Sequence, residues 1–271
     1  MVTVLRPLST SELLDRTFHL YRNNFLVFVG IAAIPQLVVL VLQLTGSALM
    51  VGSPILGGLF TALVAGLASF VAIEVSHAAT VLAVSEIHLD RRASIGAAFS
   101  AAKQSLGRVI GISLGVGIAV AIGFVFLLIP GIYLALAWSL AIPVTVLEGG
   151  GLGASTSRSK ELTRGSLGRI FVILLLVGIL TFVVSFIIQF PLGLLTAMSG
   201  QSYIAGSTAL AHAMQSIGGF LSTSLVGPLG TIALTLIYYD QRVRKEGFDL
   251  QLMMSALQSG AQAAAAATPN L

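Results

Sequence analysis

Apolar residues run through this chain in long blocks, without the strict alternation of a half-buried strand, and polar residues are confined to short stretches between the blocks. Six blocks approach the roughly 20 residues that a helix needs to cross a hydrocarbon core about 30 Å thick. They are residues 25–44, 55–84, 109–129, 132–147, 170–189 and 217–239. Pro35-Gln36 interrupts the first, Pro130-Gly131 ends the third, and Pro191 stops the fifth. The second is longer than one crossing and carries Glu74 and His77. The fourth is short, which implies a tilted helix or local thinning of the bilayer. From residue 170 to residue 239 there is no Asp, Glu, Lys or Arg. The pattern predicts an all-α integral membrane fold with six transmembrane helices.

The polar stretches carry a second pattern. Ser9-Thr10-Ser11-Glu12 fits a capping box, in which hydroxyl and carboxylate satisfy orphan amides at a helix start. It opens a predicted amphipathic helix over residues 9–23. Leu14, Phe18, Tyr21 and Phe25 form its apolar face at 4-3-4 spacing, and Glu12, Asp15, Arg16, His19 and Arg22 form the other. Ile95, Phe99, Ala102 and Leu106 repeat the spacing before the third span. Ser105-Leu106-Gly107-Arg108 and Ser166-Leu167-Gly168-Arg169 open spans three and five, and Pro130 and Pro191 each lie 22 residues beyond the arginine. These features predict internal hairpin repeats, each an amphipathic helix on the cytoplasmic face followed by two spans. Such a helix can sink into the headgroup boundary or pack under the bundle. Small residues at steps of four, Gly58-Ala62-Gly66 in span two and Gly111-Gly115-Ala119-Gly123 in span three, read as helix-packing stripes. Residues 1–252 form one membrane domain, and residues 253–271 are a low-complexity cytoplasmic tail.

Composition agrees: 56% of the 271 residues are hydrophobic and 9% charged, against roughly 25% charged in soluble domains. Every Lys and Arg falls before span one, between spans two and three, between four and five, or after span six. The positive-inside bias then places both termini in the cytoplasm and the protein in the cell membrane. The net charge of +4 therefore reflects topology and does not point to nucleic acid. The expected partners are the phospholipid bilayer, with anionic lipids at Arg91, Arg92, Arg158, Lys160 and Arg164, and a protein partner or a second copy of the chain. Residues 1–15 lack a basic stretch feeding an apolar one, so no cleavable signal peptide is expected.

Catalytic chemistry finds little purchase. Without cysteine there is neither a disulfide nor a thiolate metal site, and no His/Asp/Glu cluster has metal-ligand spacing. Gly111-Ile112-Ser113-Leu114-Gly115 matches the nucleophile-elbow pattern, but it lies in a span where no strand-to-helix turn is available. Pairing Ser113 with His212 as an intramembrane protease is a remote alternative. Glu148-Gly149-Gly150-Gly151-Leu152-Gly153 could cradle a phosphate, but no Walker Lys-Ser/Thr follows and a flexible turn is the plainer reading. Glu74 and His77 share one helix face and are the candidate intramembrane polar site, either at membrane depth or in the headgroup region.

The resemblance lies in other residues. Arg6-Pro7-Leu8, Glu12-Leu13-Leu14-Asp15-Arg16 and Tyr21-Arg22-Asn23-Asn24-Phe25 open it. Pro130-Gly131-Ile132-Tyr133-Leu134, Pro143-Val144, Leu147-Glu148-Gly149 and Arg158-Ser159-Lys160-Glu161-Leu162-Thr163-Arg164-Gly165 continue it. Tyr238-Tyr239-Asp240 and the run from Arg242 to Asp249 close it. Together they resemble the membrane domain found with glycerophosphoryl diester phosphodiesterase. The resemblance implies the membrane fold; the hydrolytic activity belongs to a separate metal-dependent barrel, which is not expected in the short stretch beyond residue 252. The expectation is a non-enzymatic scaffold or lipid-interacting module with no cofactor. The alternative is a small transporter or channel using Glu74 and His77.

Overall fold

The structure, a computed structural model of the chain, describes residues 8–89, 91–198 and 205–247. Every regular element among them is helical. Helix α1 (Thr10–Asn23) leads into α2 (Phe25–Gly52), the first span. The second span, Pro54–His88, is built from α3 (Pro54–Phe60), a π turn (Thr61–Ala65) and α4 (Gly66–His88). After α5 (Ile95–Ala102) comes α6 (Leu106–Phe126), the third span. Helices α7 (Leu128–Ala137) and α8 (Ala141–Glu148) share the fourth. Helix α9 (Leu152–Thr163) precedes α10 (Leu167–Met198), and α11 (Ala205–Glu246) ends the described chain. Among the described residues, six helical stretches are thus long and apolar enough to cross a membrane, and the chain is a multi-pass membrane protein.

The prolines act differently from expectation. Pro35 and Pro191 neither interrupt nor stop their helices; α2 and α10 run through both, as α11 runs through Pro228. Ending a helix in lipid would strand several amides and carbonyls, whereas an internal proline strands one carbonyl. The carbonyl that Pro35 leaves free, that of Ile31, lies 3.4 Å from the Ser76 hydroxyl, which also meets the Ala72 carbonyl at 2.8 Å. Span three ends before Pro130, at Leu127, whose backbone is extended (φ −162°, ψ 141°). Pro130 then sits in the first turn of α7, where no helical amide bond is lost. The turn is tight because two glycines meet: a Cβ on Gly123 would lie 3.1 Å from Gly131 Cα. The two Arg-to-Pro units therefore diverge at their prolines, one bending back and the other running on.

Span four is broken, not short. Residues 138–140 form a turn between α7 and α8, and α9 satisfies it: Leu140 N–H donates to Ser159 Oγ at 3.2 Å, while Ser159 Oγ donates to the Ala137 carbonyl at 2.8 Å. Thr163 Oγ1 meets the same carbonyl at 3.2 Å.

Helix α1 has its capping box, with Glu12 N–H bonded to Ser9 Oγ and Ser9 N–H to Glu12 Oε2. Its buried face, however, is Leu13, Thr17 and Leu20, offset from the predicted stripe. Leu8 N–H bonds to Asp240, and Tyr21 Oη donates to the Leu225 carbonyl, so α1 lies lengthwise along α11. Phe18 and Phe25 are left exposed at 38% and 40%. Before span three, Ala98 and Ala102 are the fully buried residues of α5, and Ile95 presses on Gly30 of α2.

The small-residue stripes divide likewise. Gly115 receives Leu152, and Gly123 packs on α7, but Gly111 faces open space. In span two, Gly58, Ala62 and Gly66 are not packed; the close approach is at Gly57, where a Cβ would lie 2.5 Å from Met50 N, and at Gly46, which faces Thr61. In span two the packed face is thus one residue out of phase with the predicted stripe: spacing of four defines a stripe, but neighbours decide which stripe is used.

Buried residues from α1, α2, α4, α5, α6, α8, α9, α10 and α11, with Leu140 from the turn before α8, form one core that includes Leu13, Phe28, Val84, Leu162, Ile170 and Tyr238. Away from it, large apolar side chains such as Val41, Leu63, Ile118, Phe182 and Leu195 point outward. Lipid, not protein, is their solvent.

Candidate functional site

Two constellations stand out, one inside the bundle and one at its basic end. Inside, Glu74 on α4 is 5% exposed and accepts a hydrogen bond from Ser113 Oγ of α6 at 2.7 Å. His77 Nδ1 lies 3.6 Å from Glu74 Oε2, and no hydrogen bond reaches that nitrogen among the described residues. Spacing of three brings both side chains to one side of α4, as the sequence predicted. Glu74 precedes His88 by 14 residues, about 21 Å along the helix at 1.5 Å per residue. His88 stacks on Tyr239 near the basic end, so the pair lies well inside the bundle. His77 also borders a cavity of about 40 Å³ with Gln36, Ser76, Thr80 and Thr223. Ser113 was the partner the sequence hid, because it sits in what reads as a packing motif. Gln36 of α2, within reach of the pair as the sequence allowed, borders the cavity at His77. Ser113 gives its hydroxyl to Glu74, and His212 lines a cavity with Gln189 and Gln215.

At the basic end, carboxylates claim several of the cations. Arg158 Nε lies 3.0 Å from Glu148 Oε2, its Nη1 lies 3.3 Å from Glu161, and its Nη2 meets Glu246. Burial works against its charge, but hydrogen bonds to Glu148 and Glu246 outweigh that and raise its pKa, so it stays cationic. Tyr238 Oη donates to Glu148 Oε1 at 2.8 Å, and Arg242 Nε bonds to Glu246 at 3.0 Å. A second junction centres on Asp240, whose side chain is fully buried. It accepts from Leu8 N–H at 2.8 Å, Arg244 Nε at 2.9 Å and Arg169 Nη1. Lys245 Nζ caps the carbonyls of Glu161 and Arg164 at 2.6 and 2.7 Å.

The other predicted lipid contacts are placed differently. Lys160 and Arg164 are exposed and have no carboxylate partner among the described residues. They line an open pocket of about 530 Å³ with Tyr133, Ser157, Glu161 and Thr163. Arg91 pairs with Glu86 at 3.6 Å, and Arg92 borders a groove with Glu86 and Ser94. The glycine-rich turn is a helix stop: Gly149 adopts φ 81° and closes α8, which a side chain would disfavour. Its carbonyl accepts from Arg108 Nη1. Among the described residues, no three His, Asp or Glu side chains gather as a metal site would require.

Comparison with known proteins adds one finding. No curated protein and no solved structure matches the chain. A family profile described as the membrane domain of glycerophosphoryl diester phosphodiesterase matches residues 112–259, more than half of the sequence. The match runs from within α6 through α11 and includes Glu148, Arg158, Asp240 and Glu246 of the two ion junctions. The chain therefore belongs to the family of membrane domains of glycerophosphoryl diester phosphodiesterase.

Proposed function

We propose that this protein is a non-enzymatic module of the cell membrane whose basic, cytoplasmic end gathers anionic phospholipid and presents a docking surface to a protein partner or a second copy. The observation that carries the reading is the pocket at Lys160 and Arg164. With Arg158 already matched by Glu148, Glu161 and Glu246, these two are the pocket's uncompensated cations. Tyr133 and Leu167 supply an apolar flank beside them, as a headgroup joined to acyl chains would need. Arg92 offers a second such position.

The test uses the full chain in vesicles or nanodiscs. Native mass spectrometry is expected to show anionic phospholipid retained over zwitterionic. The double change Lys160→Glu, Arg164→Glu should weaken that retention by about tenfold or more, since each near-surface cation contributes on the order of 1 kcal/mol. Equal retention of both lipid classes by the unmodified protein would refute the reading. For orientation, reporters fused at residues 50 and 200 should report the outer side and those at 100, 160 and 255 the cytoplasm. Residues 200 and 255 lie outside the described residues. A cytoplasmic signal at 200 would overturn this topology.

A second reading, a small transporter or channel working through Glu74 and His77, is favoured by the burial of Glu74 and its bond from Ser113. Flux in reconstituted vesicles separates it from the first.

A further inference from the structure

Away from the basic end, α2, α4, α10 and α11 leave a cavity of about 360 Å³ between them. Four glutamines face it: Gln36 and Gln43 from α2, Gln189 from α10 and Gln215 from α11. His212 lies one turn from Gln215, and the hydroxyls of Thr61, Ser69, Ser216 and Thr223 complete the polar wall. Among the described residues, no Asp, Glu, Lys or Arg lines it. Gln215 precedes Asp240 by 25 residues, about 37 Å along α11 at 1.5 Å per residue. The cavity therefore belongs to the opposite half of the membrane from the ion junctions.

Side chains this polar are costly in a lipid environment unless something pairs with them. Gln36 states the problem most sharply. It is 7% exposed and makes no side-chain hydrogen bond among the described residues, yet it lines this cavity on one side and the small cavity at His77 on the other. Places where the α-helical hydrogen-bond ladder is altered or loses an amide gather around the same space. The π turn contributes Thr61, Pro35 adjoins Gln36, and Pro191 follows Gln189 by two residues. Irregular backbone at membrane depth is tolerated where it lines a polar cavity, and π turns recur at functional sites.

The chemistry of the wall selects a ligand class. The glutamine amides both donate and accept, and the hydroxyls of Thr61, Ser69 and Ser216, whose hydrogens go to backbone carbonyls, still accept, so a molecule carrying several hydroxyl or amide groups can be matched. An ion would meet no opposite charge. The volume falls in the range of small-molecule sites, about 300–1,000 Å³.

We propose that α2, α4, α10 and α11 build a hydrated site, open toward the outer side, for a small uncharged solute rich in hydroxyl or amide groups, with Gln36 as its floor. The site is independent of the lipid reading above.

The chain has no cysteine, so single cysteines can be introduced without background. Ser69→Cys and Gln215→Cys would be placed in the full-length protein in sealed vesicles and treated with a small, membrane-impermeant methanethiosulfonate. Lipid-facing Val41→Cys and Leu175→Cys serve as references. Both cavity cysteines should label about tenfold faster than the references, because water reaches the cavity and not the lipid face. Labelling no faster than the references would mean that lipid or protein fills the space, and would overturn the site. In the second arm, erythritol and urea should slow labelling of Gln215→Cys, whereas equal concentrations of acetate or choline should not. Slowing by the ions, or by none of the four, would overturn the ligand class. Gln36→Leu should abolish the protection while leaving labelling itself fast; retained protection would remove Gln36 from the site.

Discussion

Asp240→Ala is expected to destabilise the protein by about 3–5 kcal/mol, the range seen when one partner of a buried ion pair is removed. The Asp240 carboxylate is fully buried and joins three parts of the chain: Leu8 before α1, Arg169 at the start of α10, and Arg244 one turn along α11. Its loss leaves Arg169 without its carboxylate and the Leu8 amide without its acceptor. The two arginines still meet the Leu8 carbonyl, through Arg169 Nη2 at 2.7 Å and through Arg244, but a neutral carbonyl does not replace the missing charge. Asp240→Asn keeps the shape and one acceptor, so its cost should fall between that of wild type and that of Asp240→Ala. Equilibrium unfolding in mixed micelles measures both. A change under about 1 kcal/mol for Asp240→Ala would show that water reaches this junction and that it behaves as an exposed pair.

The family resemblance gains a physical meaning from these contacts. Glu148, Arg158, Glu161, Tyr238, Asp240, Arg242 and Glu246 are scattered over a hundred residues of sequence, and all were among the residues that carried the resemblance. In the structure they converge to tie α8, α9, α10 and α11 together at one end. What the resemblance marks in this chain is thus a set of ties between helices. No pairing among these residues was legible beforehand, because spacing along one helix says nothing about which helix lies beside it.

Other features were legible for reasons that can be named. Span number follows from local composition, since twenty apolar residues leave a helix few options other than the bilayer. The capping box was readable because both of its partners lie within four residues. Helix boundaries were less so. Each proline reads locally as a stop, but its effect depended on whether a neighbour could meet the freed carbonyl, as Ser76 does for Ile31, or whether two glycines allowed the chain to fold back, as at Gly123 and Gly131. The face of α1 was misphased for a related reason. Thr17 looks polar in sequence, but it spends its hydroxyl on the Leu13 carbonyl at 2.8 Å and buries its methyl against the bundle. Glu74 was identified as a candidate by its rarity in a span, and its partner Ser113 was not, because a serine flanked by glycines is an ordinary sight in packed membrane helices.

The break in span four gives the second large effect. Ser159 is fully buried and both accepts from the Leu140 amide and donates to the Ala137 carbonyl, so one hydroxyl mends both sides of the turn. Ser159→Ala should cost about 1–3 kcal/mol, the penalty for a buried donor left without a partner. Thr163→Ala should cost less, because the Ala137 carbonyl keeps Ser159 when Thr163 is lost. The double variant should exceed the sum of the two, since only then does that carbonyl lose both hydroxyls. The same unfolding measurement, run as a double-mutant cycle, reads all three values. Strict additivity would mean that the two hydroxyls do not share the carbonyl in the membrane, and that the turn at residues 138–140 is satisfied by something other than α9.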